Sequence, residues 1–126
     1  MGFLDKYASQ ILGITRIMAG LLFLAHGTAK IFNFPARDGW SGYNPMSLSG
    51  AAGAIEVIGG TLIVLGFFSR PAAFICSGTM AFAYFIAHAP QNFFPLLNRG
   101  DAAILFCFLF LYIAAAGPGA FSINKK

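Results

Sequence analysis

Apolar residues fill the chain in four long blocks, at positions 11–32, 50–68, 72–89 and 101–116, with polar, proline and glycine residues collected between them. The first block is about 33 Å long as a helix at 1.5 Å per residue, enough for one crossing of a bilayer. The pattern predicts an all-α membrane protein, a four-transmembrane-helix bundle in a single domain over residues 1–126. Pro35, Gly39, Gly42 and Asn44-Pro45 mark the first loop, where Trp40 and Tyr43 suit the headgroup zone. The second helix is expected to end in a tight turn at Ser69-Arg70, with Pro71 opening the third. His88 closes the third helix just before Pro90. The segment from Pro90 to Gly100 carries Phe93, Phe94, Leu96 and Leu97 and is expected to dip into the interface. Asp101 opens the fourth helix, where an acid suits the macrodipole.

Composition strengthens the membrane assignment. Of 126 residues, 58% are hydrophobic and 10% charged, against about 25% charged in soluble domains; the mean hydropathy is +0.74. The net charge of +4 comes from basic residues scattered singly between apolar runs, so nucleic acid is not an expected partner. Arg16 interrupts the first block and Lys30 closes it without a small-residue cleavage site, which argues against a cleaved signal peptide. Four crossings put both termini on one side. Lys6, Arg70, Lys125 and Lys126 fall there, against Lys30, Arg37 and Arg99 opposite, a four-to-three bias towards cytoplasmic termini. Cys76 and Cys107 lie inside apolar runs and suggest neither a disulfide framework nor a metal motif. Helix centres near Met80 and Leu109 would separate the two cysteines by about 10 Å in depth, too far to bridge.

The second block carries one carboxylate, Glu56. An acidic side chain at a helix centre costs about 2.5 to 3.5 kcal/mol on insertion scales, so Glu56 should face protein or trapped water and have a partner. Gly53 and Gly60 flank it on one face, where a neighbouring backbone can come close. In the first block, Arg16, His26 and Lys30 fall within an arc of roughly 80°. Lys30 is the first choice of partner for Glu56 and Arg16 the second. His26 has no second ligand at helical spacing, so no metal site is expected.

Depth brings these residues together. Counting from helix centres near Leu22, Gly59 and Met80 places His26 about 6 Å, Glu56 about 4.5 Å, and Lys30 and His88 about 12 Å from the midplane, all on the non-terminal side. Asn98, Arg99 and Asp101 belong to the same half through the loop that carries them. The expectation is a polar pocket open towards the non-cytoplasmic interface and lidded by the Trp40 and Phe93 loops. Glu56 and His26 are its candidate catalytic groups; Arg16, Lys30, His88, Asn98, Asp101 and Trp40 are its candidate binding residues.

The chain resembles the DoxX family. The resemblance is carried by Arg16 and the Gly27 to Lys30 stretch, by Glu56-Val57-Ile58-Gly59-Gly60 followed by Leu65-Gly66 and Arg70, and by His88. Asn98 with an acid three residues on and the closing Gly117-Pro118-Gly119 with Ser122 complete it. Asp101 stands where the family often has Glu, and Asn124 where the tail often has Asp. The resemblance implies a four-helix bacterial inner-membrane protein, and some members are linked to quinone-coupled sulfur oxidation or to redox-stress complexes. Two functions follow. In one, the chain is a quinone-interacting subunit of a membrane oxidoreductase complex, with electrons supplied by another subunit. In the other, it is a small transporter or permease, or a non-catalytic assembly partner whose charges hold the bundle together. No intrinsic cofactor is expected, since neither a cysteine ligand set nor a glycine fingerprint is present; a quinone is the ligand the first reading admits. The bilayer is the expected environment, with a redox partner subunit or further copies of the chain beside it.

Overall fold

The computed structural model describes residues 1–34 and 47–126. A short helix α1 (Gly2–Asp5) precedes α2 (Ala8–Phe32), α3 (Leu48–Leu65) and α4 (Ser69–Ala83). The chain continues through a π-helical turn (Tyr84–His88) and a 3-10 turn (Ala89–Gln91), then α5 (Pro95–Asn98) and α6 (Asp101–Ala116). Among the described residues every regular element is helical. Three helical stretches, Ala8–Phe32, Leu48–Leu65 and Ser69–Gln91, are long and apolar enough to cross a membrane; Asp101–Ala116 is apolar but shorter.

Boundaries differ from the sequence reading for local reasons. α3 starts at Leu48, two residues before the expected Gly50, because the Ser47 hydroxyl accepts the Gly50 N–H at 3.0 Å, an N-cap bond. The helix stops at Leu65 rather than Phe68, since Gly66 takes the left-handed conformation (φ 68°) and returns its N–H to the last turn. Phe68 is also left-handed (φ 46°) and caps α4, so that helix begins at Ser69 and Pro71 sits within the first turn, where a missing N–H costs little. At the far end Pro90 lacks an N–H, and its ring crowds the carbonyl four residues back. The turn before it is widened, with the Ala89 N–H donating to the Tyr84 carbonyl.

The helices pack as two close pairs, α2 with α3 and α4 with α6, joined along α3 and α4, while α2 and α6 barely approach each other. Rings bridge that last seam. Phe23 meets Phe106 and Phe110 edge-on at 5.4 and 4.9 Å, and the His26 ring meets Phe106 edge-on at 5.8 Å. Phe23, Ile63, Ala73, Cys76, Phe110 and Ile113 form the fully buried core. Large apolar side chains cover the outside, among them Ile58, Phe74, Phe82, Leu105 and Phe108. A surface of that kind matches lipid.

Cys76 and Cys107 are both free, but their separation in depth is not the reason. The Ser77 hydroxyl donates to the Cys107 carbonyl at 2.7 Å, so the two cysteines occupy nearly the same layer. Their directions differ: the Cys76 thiol fills the space over Gly59 of α3, while Cys107 belongs to the α4–α6 contact. Helix centres counted from apolar blocks missed the slide of α4 past α6, because the π and 3-10 turns carry α4 beyond the start of α6.

On the terminal side the segment after α6 folds back under the bundle. Ala120 donates its N–H to the Ser9 carbonyl, Ile123 to Leu65 and Asn124 to Gly66. The Asn124 carboxamide oxygen accepts from the Phe68 N–H at 3.1 Å, holding the strained turn between α3 and α4. The Asn at this position is therefore an active part of the tail's anchorage.

Candidate functional site

Glycine makes the site. At Gly27 of α2 a Cβ would lie 2.8 Å from the Glu56 Cβ and 2.8 Å from the Val57 nitrogen; at Gly53 of α3 one would meet the Lys30 and Ile31 side chains at 3.1 Å. The two backbones approach this closely because both positions lack side chains. Lys30, near the end of α2, can then reach across and donate to Glu56 Oε1 at 2.7 Å. The pairing expected from the arc and depth of the first helix is present. Glu56 is 1% exposed, whereas the Lys30 side chain keeps 23% of its surface. The second carboxylate oxygen, Oε2, is buried with no hydrogen-bond partner among the described residues.

Glu56 and Lys30 line a cavity of about 700 Å³, within the range of small-molecule sites. It runs from Phe23 and Phe106, in the interior of their helices, to Gln91 and Arg99 beyond the end of α4. Most of its wall is aliphatic or aromatic. His26 and His88 belong to the polar part, with Ser49, Thr79, Gln91 and Arg99. His26 stands one turn before Lys30 and donates from Nδ1 to the Leu22 carbonyl at 2.7 Å. His88 owes its place to the π turn. In a regular α-helix residues 83 and 88 point about 140° apart, but the widened turn keeps both Ala83 and His88 on the cavity wall. There the His88 Nδ1 donates to the Asn98 carbonyl at 3.0 Å.

The remaining expected residues lie elsewhere. Asn98 is fully buried but serves the loop: its amide donates to the Tyr84 hydroxyl and the Asn92 carbonyl, and its oxygen accepts the Gly100 N–H. It positions His88 through its backbone and does not line the cavity. Asp101 is exposed in the first turn of α6, away from the cavity wall, where it complements the helix dipole. Arg16 is at the opposite end of the bundle and 0% exposed. Its guanidinium donates to the carbonyls of Ile63 (2.9 Å), Pro118 (2.6 Å), Ala120 (3.0 Å) and Phe121 (2.8 Å), fastening α2 to the end of α3 and to the tail. The expectation that it joins the pocket is corrected; a fork of donors suits a cluster of carbonyls better than one carboxylate half a helix away. Trp40 falls outside the described residues. Phe93, Phe94, Leu96 and Leu97 are exposed around α5, as an interfacial segment would be.

Arg99 is not among the site residues expected from the sequence. It borders the cavity in a left-handed conformation (φ 62°), capping α5. Phe106, Gln91 and Thr79 also line the wall unannounced. Among the described residues no three His, Cys, Asp or Glu side chains cluster in a way that could hold a metal ion. Chemically the cavity offers one buried carboxylate, its ammonium partner, two imidazoles and the Arg99 guanidinium beside an apolar chamber, a set suited to binding and proton exchange with an amphiphile.

Comparison with known proteins agrees with this architecture. A Haemophilus influenzae protein described as uncharacterized is 42% identical over 132 aligned positions, covering 100% of this chain and 97% of its own. The Escherichia coli inner membrane protein YphA is 32% identical, covering 92% of this chain and 89% of its own length. No solved structure matches significantly. The DoxX family model matches residues 11–89, the stretch that holds Arg16, His26, Lys30, Glu56 and His88. This is an integral membrane protein, and it belongs to the DoxX family.

Proposed function

We propose that the chain is a quinone-interacting subunit of an inner-membrane oxidoreductase complex, with its termini on the cytoplasmic side. One observation carries the reading: a buried carboxylate, Glu56, borders a largely apolar cavity of about 700 Å³ and keeps one oxygen without a hydrogen-bond partner among the described residues. An aromatic headgroup with an isoprenoid tail fits such a chamber, since it combines polar ring substituents with a large apolar body. The residues fit that ligand: the aromatic and aliphatic wall suits the ring and tail, and Glu56, Lys30, His26 and His88 supply polar contacts. A bound quinone would supply the redox chemistry. Glu56 holds or releases a proton at Oε2, Lys30 keeps the carboxylate oriented through Oε1, and His26, one turn before Lys30 on α2, brings an imidazole to the same cavity. Electrons would come from another subunit.

The ion pair itself favours a second reading, since a buried acid and base suffice to join α2 to α3 without any chemistry. An extraction experiment separates the two. Protein purified in mild detergent and extracted into organic solvent should release quinone, oxidised or reduced, at about one molecule per chain. Recovery no greater than from an unrelated membrane protein of the same preparation would reject the proposal and leave the scaffold.

A further inference from the structure

Polarity is graded along the cavity. Its outer end is lined by Lys30 near the end of α2, Ser49 at the start of α3, His88 and Gln91 beyond α4, and Arg99 just before α6. Its inner end is lined by Phe23, Ile55, Met80 and Phe106. Phe23 precedes Lys30 by two turns on α2 and so lies about 10 Å deeper along the helix axis. The outer donors have capacity left. Lys30 gives one N–H to Glu56 Oε1, and an ammonium carries two more. The Ser49 hydroxyl and the Arg99 guanidinium line the wall without a hydrogen-bond partner among the described residues.

Charge points the same way. Lys30 and Glu56 cancel in their 2.7 Å pair, and His26 and His88 are imidazoles that donate from Nδ1 to backbone carbonyls, so Arg99 is the charge left over. Asp101, two residues on, is exposed and off the wall. The ion pairs among the described residues join Met1 to Asp5 and Lys30 to Glu56, leaving Arg99 out.

We propose that the cavity is a site for a single-chain anionic amphiphile, a long-chain carboxylate or a monoalkyl phosphate. Its headgroup lies among Arg99, Lys30 and Ser49, and its chain runs inward against Phe23 and Phe106. A guanidinium fork matches the oxygens of a carboxylate or phosphate, and the ammonium and hydroxyl add donors to the same head. The chamber of about 700 Å³ is of small-molecule size, which favours one chain over two. Head outward and chain inward is also the orientation of a lipid in the adjoining leaflet. This site goes beyond the quinone reading and stands without it, because the headgroup uses the outer donors and leaves Glu56 to Lys30.

The test measures binding of radiolabelled hexadecanoate, hexadecyl phosphate, hexadecanol and hexadecyltrimethylammonium to the full chain. Equilibrium dialysis in an uncharged detergent is used, with protein-free micelles as the reference for partition. A charge-assisted hydrogen bond corresponds to roughly a tenfold gain or more. One anion or both should therefore bind at least about ten times tighter than the alcohol, with the cation weaker still; the tighter anion names the headgroup. Acetate and inorganic phosphate, which lack a chain, should displace neither. Arg99→Gln, at an exposed position, should lose most of the preference, while Lys6→Gln, an exposed cation at the terminal end, should keep it. Equal binding of alcohol and anions by the wild-type protein overturns the site whether or not the variants fold. Equal losses in the two variants also overturn it, since net charge alone would then attract the anion. Displacement by acetate or phosphate overturns the part given to the chain. Quinone recovery on extraction is a separate measurement, so the two readings fail independently.

Discussion

Removing Lys30 should destabilise the bundle more than removing the charge of Glu56, although the two form one ion pair. In Lys30→Met the carboxylate stays where it is, 1% exposed, on a short side chain held beside Gly27. It has no second partner among the described residues, so the full penalty of breaking a buried pair applies, about 3 to 5 kcal/mol. In Glu56→Gln the ammonium is left over instead. It keeps 23% of its surface and sits near the end of α2, so its four-carbon stem can carry it towards the interface for a cost nearer about 1 to 2 kcal/mol. The double variant carries neither charge and should recover most of the loss, giving a coupling of about 2 kcal/mol or more. Reversible unfolding in mixed detergent micelles measures all four proteins on one scale. Equal losses for the two single variants, or a larger loss for Glu56→Gln, would refute the asymmetry and with it the role given to the exposure of Lys30. If the double variant regains stability and also turns over quinol, Glu56 is a structural partner only.

Other expectations are simpler. Gly27→Ala should cost about 1 to 3 kcal/mol, because its Cβ would meet the Glu56 Cβ and the Val57 nitrogen at 2.8 Å; Gly78→Ala, with nothing within 4 Å of its new Cβ, should be neutral or stabilising by up to about 1 kcal/mol. The same unfolding assay reads both, and similar effects would deny the close approach of α2 and α3. Arg16→Lys keeps the charge but cannot span four carbonyls, so it should cost about 2 kcal/mol. It should also speed hydrogen exchange at the Ile123 and Asn124 amides, which bond to Leu65 and Gly66; unchanged exchange there would separate Arg16 from the anchorage of the tail.

The sequence revealed what depends on composition along one helix. Apolar blocks located the four helices, and a lone carboxylate within one of them required a cation at similar depth, which Lys30 supplied. Caps moved the ends by a few residues, and Ser47 and Gly66 could have indicated that. The slide of α4 past α6 was not legible, since a uniform apolar block contains nothing that fixes its height against a neighbour. Nor were the partners of Arg16, because backbone carbonyls have no residue signature and these lie 47 to 105 positions away. Pro90 did carry a readable signal for the π turn: a proline placed so soon after His88 disturbs the turn before it and redirects that imidazole.

The fastening of Arg16 also orders events in time. During synthesis α2 and α3 enter the membrane with the guanidinium near its cytoplasmic edge if the termini lie there. Only the Ile63 carbonyl is available while the tail is unmade. The other three carbonyls belong to Pro118, Ala120 and Phe121 and emerge about a hundred residues after the arginine. Until then the charge must be solvated by water or lipid headgroups, which holds that end of the first hairpin loose. Arrival of the tail closes it. Assembly of the bundle is thereby coupled to synthesis of the segment after α6, and a polypeptide interrupted after α6 would carry the four apolar helices described yet remain unlocked at its base.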